Sequence, residues 1–599
     1  LLLLERIGSV LDRLVDYVQG ASLPRIAWCN PGLPVVLLAP LLATMPFTTT
    51  APVRAIAGWS LVASLPLAVL LSAAILAPVA AAWRARAPLR HPVAAHSFPL
   101  LVALFSILVL YRRDFAGLTN FAGADGGVHI YQHKLFVGSH PGIYLGFVSM
   151  YGLMYWIEQI TRCNVFWALC VVYYFGVAFV AAVPCLITLV VLEPFADRRG
   201  WWIGLAAGAA AALTLSYFVV LPQQHYHQTD GFFAHLFALV PLMVAWLVDA
   251  TVRARLWRWL GLLISVAFYR FTYGLNLADF LVTVGALLFL DSFGAGLPLG
   301  LRWLLRVVPL PATWAALSFL RQLEPQTASY GWIIAYDLPT VLWAQLCAVA
   351  GMGGFMIVAA LLPARQRSAL RALRLPVAFT LVSAAVAYYG LRLPVGQPYY
   401  LLKYPVHAVV LASSALVVVA AASTAQLGEA VRARRWLVLA LSAMVTAVCV
   451  GAFNRWRLGF ALYQPTFQER VFGHAPYQVT HPLADLGATN RIERVLRSQN
   501  KKFGGYITSY WPMFNFMNAT FDYFNGGRVF WEHGGVRLER GYCVFWDHGK
   551  VDWWSQPSDL TAPLRVTLKD LEARQDRACV SYRAHWNHAV ERTLCHVCD

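Results

Sequence analysis

The stretch VFWALCVVYYFGVAFVAAVPCLITLVVL, Val165–Leu192, decides the class of this protein. It runs for 28 residues without a charged side chain. As a helix rising 1.5 Å per residue it would be about 42 Å long, more than the ~30 Å hydrocarbon core of a bilayer demands. Arg198 and Arg199 follow within seven residues of its end, so the segment reads as a membrane span that leads into a basic loop. Working outward, the same grammar recurs along most of the chain.

Apolar segments cover roughly 32–47, 58–83, 93–111, 165–192, 201–221, 232–252, 259–273, 277–291, 303–320, 338–362, 375–391, 405–424 and 436–452. Between them lie Arg84/Arg86/Arg90, Arg198/Arg199, Arg253/Arg255/Arg258, Arg302/Arg306, Arg365/Arg367/Arg371/Arg374 and Arg432/Arg434/Arg435. Alternating crossings place every one of these clusters on a single side, which the positive-inside rule makes the cytoplasm. The expected fold is mostly α: a polytopic membrane helical bundle of ~11–13 transmembrane helices. Two places break the pattern. Segment 32–47 contains prolines, and the pair 259–291 is short and interrupted by Tyr269-Arg270-Phe271-Thr272-Tyr273-Gly274. Non-helical backbone at membrane depth survives only against protein or a water-filled cavity.

Composition supports the same class. Of the 599 residues 59% are apolar and only 13% charged, about half the ~25% of soluble domains. The net charge of +18 suggests nucleic acid until it is located. Residues 453–599 carry 18 Lys+Arg and 14 Asp+Glu, leaving 29 and 15 for the first 452. The excess therefore belongs to the membrane part, where loop arginines set orientation, and nucleic acid is not expected as a partner. Residues 1–20 space Leu4, Ile7, Leu11, Leu14, Val15 and Val18 as an amphipathic surface helix, with no secretory signal. No internal repeat of the kind many transporters show is evident.

After Ala452 the composition becomes globular, so the chain divides into a polytopic domain, 1–452, and a soluble domain, 453–599. Crossing parity puts the second, expected as mixed α/β, outside the cytoplasm. Its Cys543, Cys579, Cys595 and Cys598 would then form disulfides, with three pairings open. The Cys595-x-x-Cys598 spacing also suits a redox or metal motif. Aromatic stretches 504–516 and 529–535 fit either a small core or sugar-stacking faces.

Nearly all unusual polar residues fall in the loops opposite the arginines. The first large one, 112–164, contains Asp114 and Ala124-Asp125-Gly126-Gly127. A helix from Asp125 would align Asp125, His129, His133, Phe136 and His140, either as a solvated face or as a stripe lining a cavity above the bilayer. A second loop holds His225-Tyr-His227 and Asp230, with His235 one turn into the next span. That set would ligate a divalent metal (Mg or Mn), hydrogen-bond a polyol, or be plain loop polarity. Arg270, Tyr273, Asn276 and Asp279 cluster at the interrupted pair, as a functional group or else with the charge snorkelling to the interface or Arg270 and Asp279 forming a structural ion pair. Arg392, Tyr399, Tyr400 and Lys403 suit a lipid-phosphate headgroup or an ordinary aromatic belt. Glu324 and Asp337 complete the set. No Walker A, GxSxG or HExxH pattern is present.

This plan resembles the GT-C superfamily of integral-membrane glycosyltransferases: many spans, membrane-parallel helices and an acid in the first large outer loop, and a C-terminal extracytoplasmic domain. The usual adjacent acidic pair is absent, and the acid-bearing loop follows the third predicted span rather than the first. The resemblance implies inverting transfer from a polyprenyl-phosphate sugar to a glycan, lipid or protein acceptor on the outer face of a bacterial plasma membrane. Asp125 or Asp114 would be the general base, and Arg270, Arg392 and Lys403 would hold the donor phosphate. His129, His133, Tyr273, Tyr399 and Tyr400 would contact substrate, and His225, His227 and Asp230 substrate or metal. The competing readings are a transporter or channel for a polar or lipid-linked solute, and a non-catalytic scaffold subunit.

Overall fold

A computed structural model describes residues 97–107, 126–137, 147–163, 165–195, 199–215, 233–252, 255–274, 276–293, 297–327, 368–392, 398–430, a few positions between 346 and 353, and three short strands. The predicted helix at 1–20 and the spans at 32–47, 58–83 and 436–452 lie outside the described residues.

The chain runs through α1 (Ser97–Ile107), α2 (Gly126–Val137), α3 (Val148–Thr161), α4 (Val165–Leu192), α5 (Arg199–Leu215), α6 (Phe233–Phe237) and α7 (Leu239–Thr251). It continues as α8 (Arg255–Arg270), α9 (Leu277–Asp291), α10 (Leu299–Val307), α11 (Pro309–Thr327), α12 (Ser368–Arg392) and α13 (Pro398–Ala430). Three stretches are long and apolar enough to cross a membrane: Val171–Phe195, Ala234–Thr251 and Val406–Gln426. Each matches a segment expected to span.

These three form the centre of the bundle. Every residue of α7 is buried, and α4 and α13 pack on each other. The burial is between helices, which in lipid requires close backbone approach because apolar surface alone gives no preference for helix over lipid. Gly204 and Gly208 on α5 supply it. A Cβ on Gly204 would sit 2.8 Å from the Ala421 carbonyl oxygen, and one on Gly208 3.1 Å from the Ala421 Cβ. The α5–α13 contact is thus a small-residue seam, completed by Ala425 beside Gly204.

The interrupted pair is a helical hairpin, α8–α9. Gly274, at φ +62°, takes the left-handed conformation that ends α8, and its N–H donates to the Tyr269 carbonyl at 3.2 Å. At about 24 and 22 Å each arm is shorter than a full bilayer crossing. Outside the hairpin, α9 packs on α11, while Leu299, Trp303, Leu304, Leu310 and Trp314 turn outward from α10 and α11. This apolar exterior is what lipid contact requires.

One end of the bundle departs from the expected picture of loop arginines. Arg258 and Arg374 are not solvated; they are drawn into a cluster with Asp249 and Asp291. Arg374 donates from Nε to Asp249 Oδ2 at 2.7 Å and from Nη1 to Asp291 Oδ1 at 2.7 Å. Arg258 Nη2 and Trp259 Nε1 both reach Asp291 Oδ2, at 2.5 and 2.7 Å. Four helices, α7, α8, α9 and α12, are joined by this network, and Trp246 adds a bond to the Ala372 carbonyl at 2.6 Å.

Of residues 453–599, the structure describes Lys502–Ile507, Tyr542–Asp547 and Ser581–Tyr582, three parallel strands in the order β1-β2-β3. Cys543 belongs to β2; Cys579, Cys595 and Cys598 lie outside the described residues.

Candidate functional site

Opposite the arginine cluster, the other end of the bundle gathers imidazoles and phenols in one buried row. It begins on α2 and α3, two helices that pack on each other and on α4. The expected helix around His129 is present, starting at Gly126. Its histidine stripe is packed inward, however, rather than facing solvent or an open cavity. His129, His133 and Phe136 are all buried, because the Tyr151 and Phe147 rings fill the space before them.

His129 Nδ1 lies 3.0 Å from the Tyr151 hydroxyl, and His133 meets Tyr151 edge-on at 6.2 Å. His133 Nε2 stands 3.3 Å from Glu158 Oε2. Phe147 stacks on Tyr273 of the hairpin turn, with centroids 5.8 Å apart. The Ser149 N–H donates to the Phe271 carbonyl at 3.0 Å, tying α3 to that turn. Tyr273 then contacts His235, which stacks on His407 at 4.2 Å.

His407 has a readable tautomer. Its Nε2 is 2.8 Å from the His235 carbonyl oxygen, which can only accept, so Nε2 carries the hydrogen. Its Nδ1 lies 2.7 Å from the Tyr269 hydroxyl and accepts from it when the ring is neutral. Beside this group, Asn276 Nδ2 donates to Asp279 Oδ2 at 3.0 Å. Asp279 is wholly buried and Arg270 exposed, so the expected Arg270–Asp279 pair is not formed; Asn276 takes its place.

Two titratable groups on α2 and α3 are strongly displaced. Burial removes water from His133 and pushes its imidazole down to about 3, so it stays neutral through the physiological range. Burial pushes the Glu158 carboxyl up to about 7. Its side chain keeps 16% of its surface exposed, unlike that of His133 at 1%. A carboxyl that titrates near neutrality while retaining an open edge suits proton transfer.

Several sequence candidates cannot be located in this arrangement. Asp114, Asp125, His140, His225, His227, Asp230 and Asp337 lie outside the described residues, and with them the proposed metal loop. Among the described residues no group of three or more His, Cys, Asp or Glu is placed to hold a metal ion. Arg392 closes α12, and Tyr399, Tyr400 and Lys403 stand in the first turns of α13. Of the expected substrate contacts, the structure brings His129, His133 and Tyr273 into one row.

Tyr151, Glu158, Tyr269 and His407 carry much of that row and were not singled out from the sequence. Glu158 is the one charged residue of α3, and His407 the one ionisable residue within Val406–Gln426. A lone ionisable group in an apolar helix was the available signal. Comparison with protein-family models, curated proteins and solved structures gave no match.

Proposed function

We propose that this chain is an integral-membrane glycosyltransferase of the GT-C type, moving a sugar from a polyprenyl-phosphate donor to an acceptor with inversion. The observation that carries the reading is the segregation of chemistry between the two ends of the bundle. Titratable and hydrogen-bonding groups gather at one end, built partly on loop 112–164, while buried ion pairs tie the other end together. A lipid-linked donor favours such a plan, because its tail never leaves the bilayer while its sugar is processed at one surface. The ion-pair cluster also argues against alternating access, which needs a midplane site reachable from both sides.

By the positive-inside rule the arginine end faces the cytoplasm of a bacterial cell, and the histidine end faces outward with the domain 453–599. A carboxylate of the outer loop 112–164 would accept the acceptor's hydroxyl proton, with Asp125, just before α2 in sequence, and Asp114 as the candidates the resemblance implies. Arg270, exposed at the end of α8, with Arg392 and Lys403, would stabilise charge on the leaving lipid phosphate. His225, His227 and Asp230 would position substrate or hold Mg or Mn. The α/β character and disulfides of the outer domain belong to the same proposal.

The test is sugar transfer by the purified full chain in lipid nanodiscs, supplied with a panel of polyprenyl-phosphate sugars. Loss of at least 100-fold in turnover in Asp125→Asn or Asp114→Asn would assign the base role to that aspartate. Full transfer by both variants would remove these aspartates from the mechanism.

A further inference from the structure

We propose that Glu158, backed by His133, is the carboxylate that takes the proton from the acceptor hydroxyl. This rests on the transferase reading above and gives the base role on loop 112–164 to Glu158 in place of Asp125 and Asp114, whose Asn variants are then expected to retain transfer. In the step, the acceptor oxygen bonds to the sugar's anomeric carbon as its proton passes to a Glu158 oxygen. The bond from that carbon to the donor phosphate breaks, and its electron pair leaves with the lipid phosphate. No further reactant is needed.

Geometry selects Glu158 among the carboxyls whose side chains the structure describes. Asp249 and Asp291 are engaged by arginines at the opposite end, and Glu193 follows the far end of α4. Asp279 is wholly buried and bonded to Asn276. Glu158 alone of these combines a place on loop 112–164 with an open edge and an imidazole at 3.3 Å. The imidazole is otherwise unengaged: among the described residues neither His133 nitrogen has a hydrogen-bond partner, and Nε2 stands 3.3 Å from Glu158 Oε2. A neutral ring at that distance is placed to accept a hydrogen bond from the protonated carboxyl without adding a positive charge.

The remaining ionisable groups around the couple are few. From α2 come His129 and Lys134; α3 contributes Tyr151 and Tyr155, with Arg162 just past its end. The first three turns of α4 carry no charged residue, and Tyr173 and Tyr174 are their titratable groups among the described side chains. Burial alone lifts the carboxyl to about 7 and lowers the imidazole to about 3.

The experiment has two arms, both on the full chain in nanodiscs. Dicyclohexylcarbodiimide, which attaches to protonated carboxyls in apolar surroundings, is applied between pH 5 and 9, and adducts are mapped by mass spectrometry. Glu158 is expected to label at pH 6 and to lose labelling with a midpoint near 7. Transfer is then followed against pH. The wild-type rate should rise with the same midpoint, Glu158→Gln should lose at least 100-fold in kcat, and Glu158→Asp should recover part of it. His133→Phe should move the midpoint, which a purely structural histidine would not do. A Glu158 that resists labelling at pH 6, or a Glu158→Gln protein that transfers normally, overturns the proposal and leaves the transferase reading standing. Labelling as expected without transfer from any donor overturns both.

Discussion

Glu158 shows how much a single side chain's surroundings decide. Burial raises its carboxyl from 4.5 to about 7, so the folded protein binds a proton that the unfolded chain releases between those values. Its contribution to stability is therefore most favourable below pH 4.5 and declines as pH rises toward 7. Glu158→Gln removes that decline. The variant should gain melting temperature relative to wild type as pH goes from 5 to 8, measured in parallel thermal scans. His133 works in the other direction, lowered from 6.5 to about 3, and its penalty falls below pH 6.5. A parallel shift of both proteins with pH would contradict the assigned environment of Glu158. From sequence, His129 and His133 were legible because they recur at helical spacing. Glu158 was legible only as a lone carboxyl in an apolar helix, which marks the residue but gives no spacing that would name its partner 25 positions away.

At the scale of elements, glycine placement separates what the chain must do from what it tolerates. The seam of α5 on α13 leaves no room at Gly204, where a Cβ would also lie 2.7 Å from Leu192 Cδ2. Gly204→Leu should destabilise the bundle by about 1–3 kcal/mol or more, seen as a lower melting temperature in detergent. Exposed Gly300, where an added Cβ would meet nothing within 4 Å, is the matched control: Gly300→Ala should be neutral or slightly stabilising. Gly274→Ala should cost about 1–2 kcal/mol, because the hairpin turn holds that residue at positive φ. The hairpin itself was legible in outline, from two short apolar runs around a polar break. Its closure was not, because the bonds that fix it are backbone to backbone and independent of side-chain type.

For the whole molecule, the arginine end corrects the simplest use of charge. Basic loops gave the expected direction of every span, and three helices of the bundle are long and apolar enough to cross a membrane. Yet Arg258 and Arg374 bind Asp249 and Asp291 across four helices, a pairing between residues up to 125 positions apart that no local pattern reveals. Arg374→Leu would leave both carboxylates buried with one cation fewer and should cost about 3–5 kcal/mol. Adding Asp249→Asn to that variant should recover part of the loss, and a double-mutant cycle by thermal unfolding measures the coupling. If the two losses simply add, the cluster does not act as a unit.

The central claim, transfer from a lipid-linked donor at the histidine end, is most directly tested by donor turnover. Purified protein in nanodiscs is given a panel of radiolabelled polyprenyl-phosphate sugars, and the freed polyprenyl phosphate is followed with time. The account predicts catalytic release from at least one donor, falling at least 100-fold in Glu158→Gln. No release from any donor by correctly folded wild-type protein would contradict it.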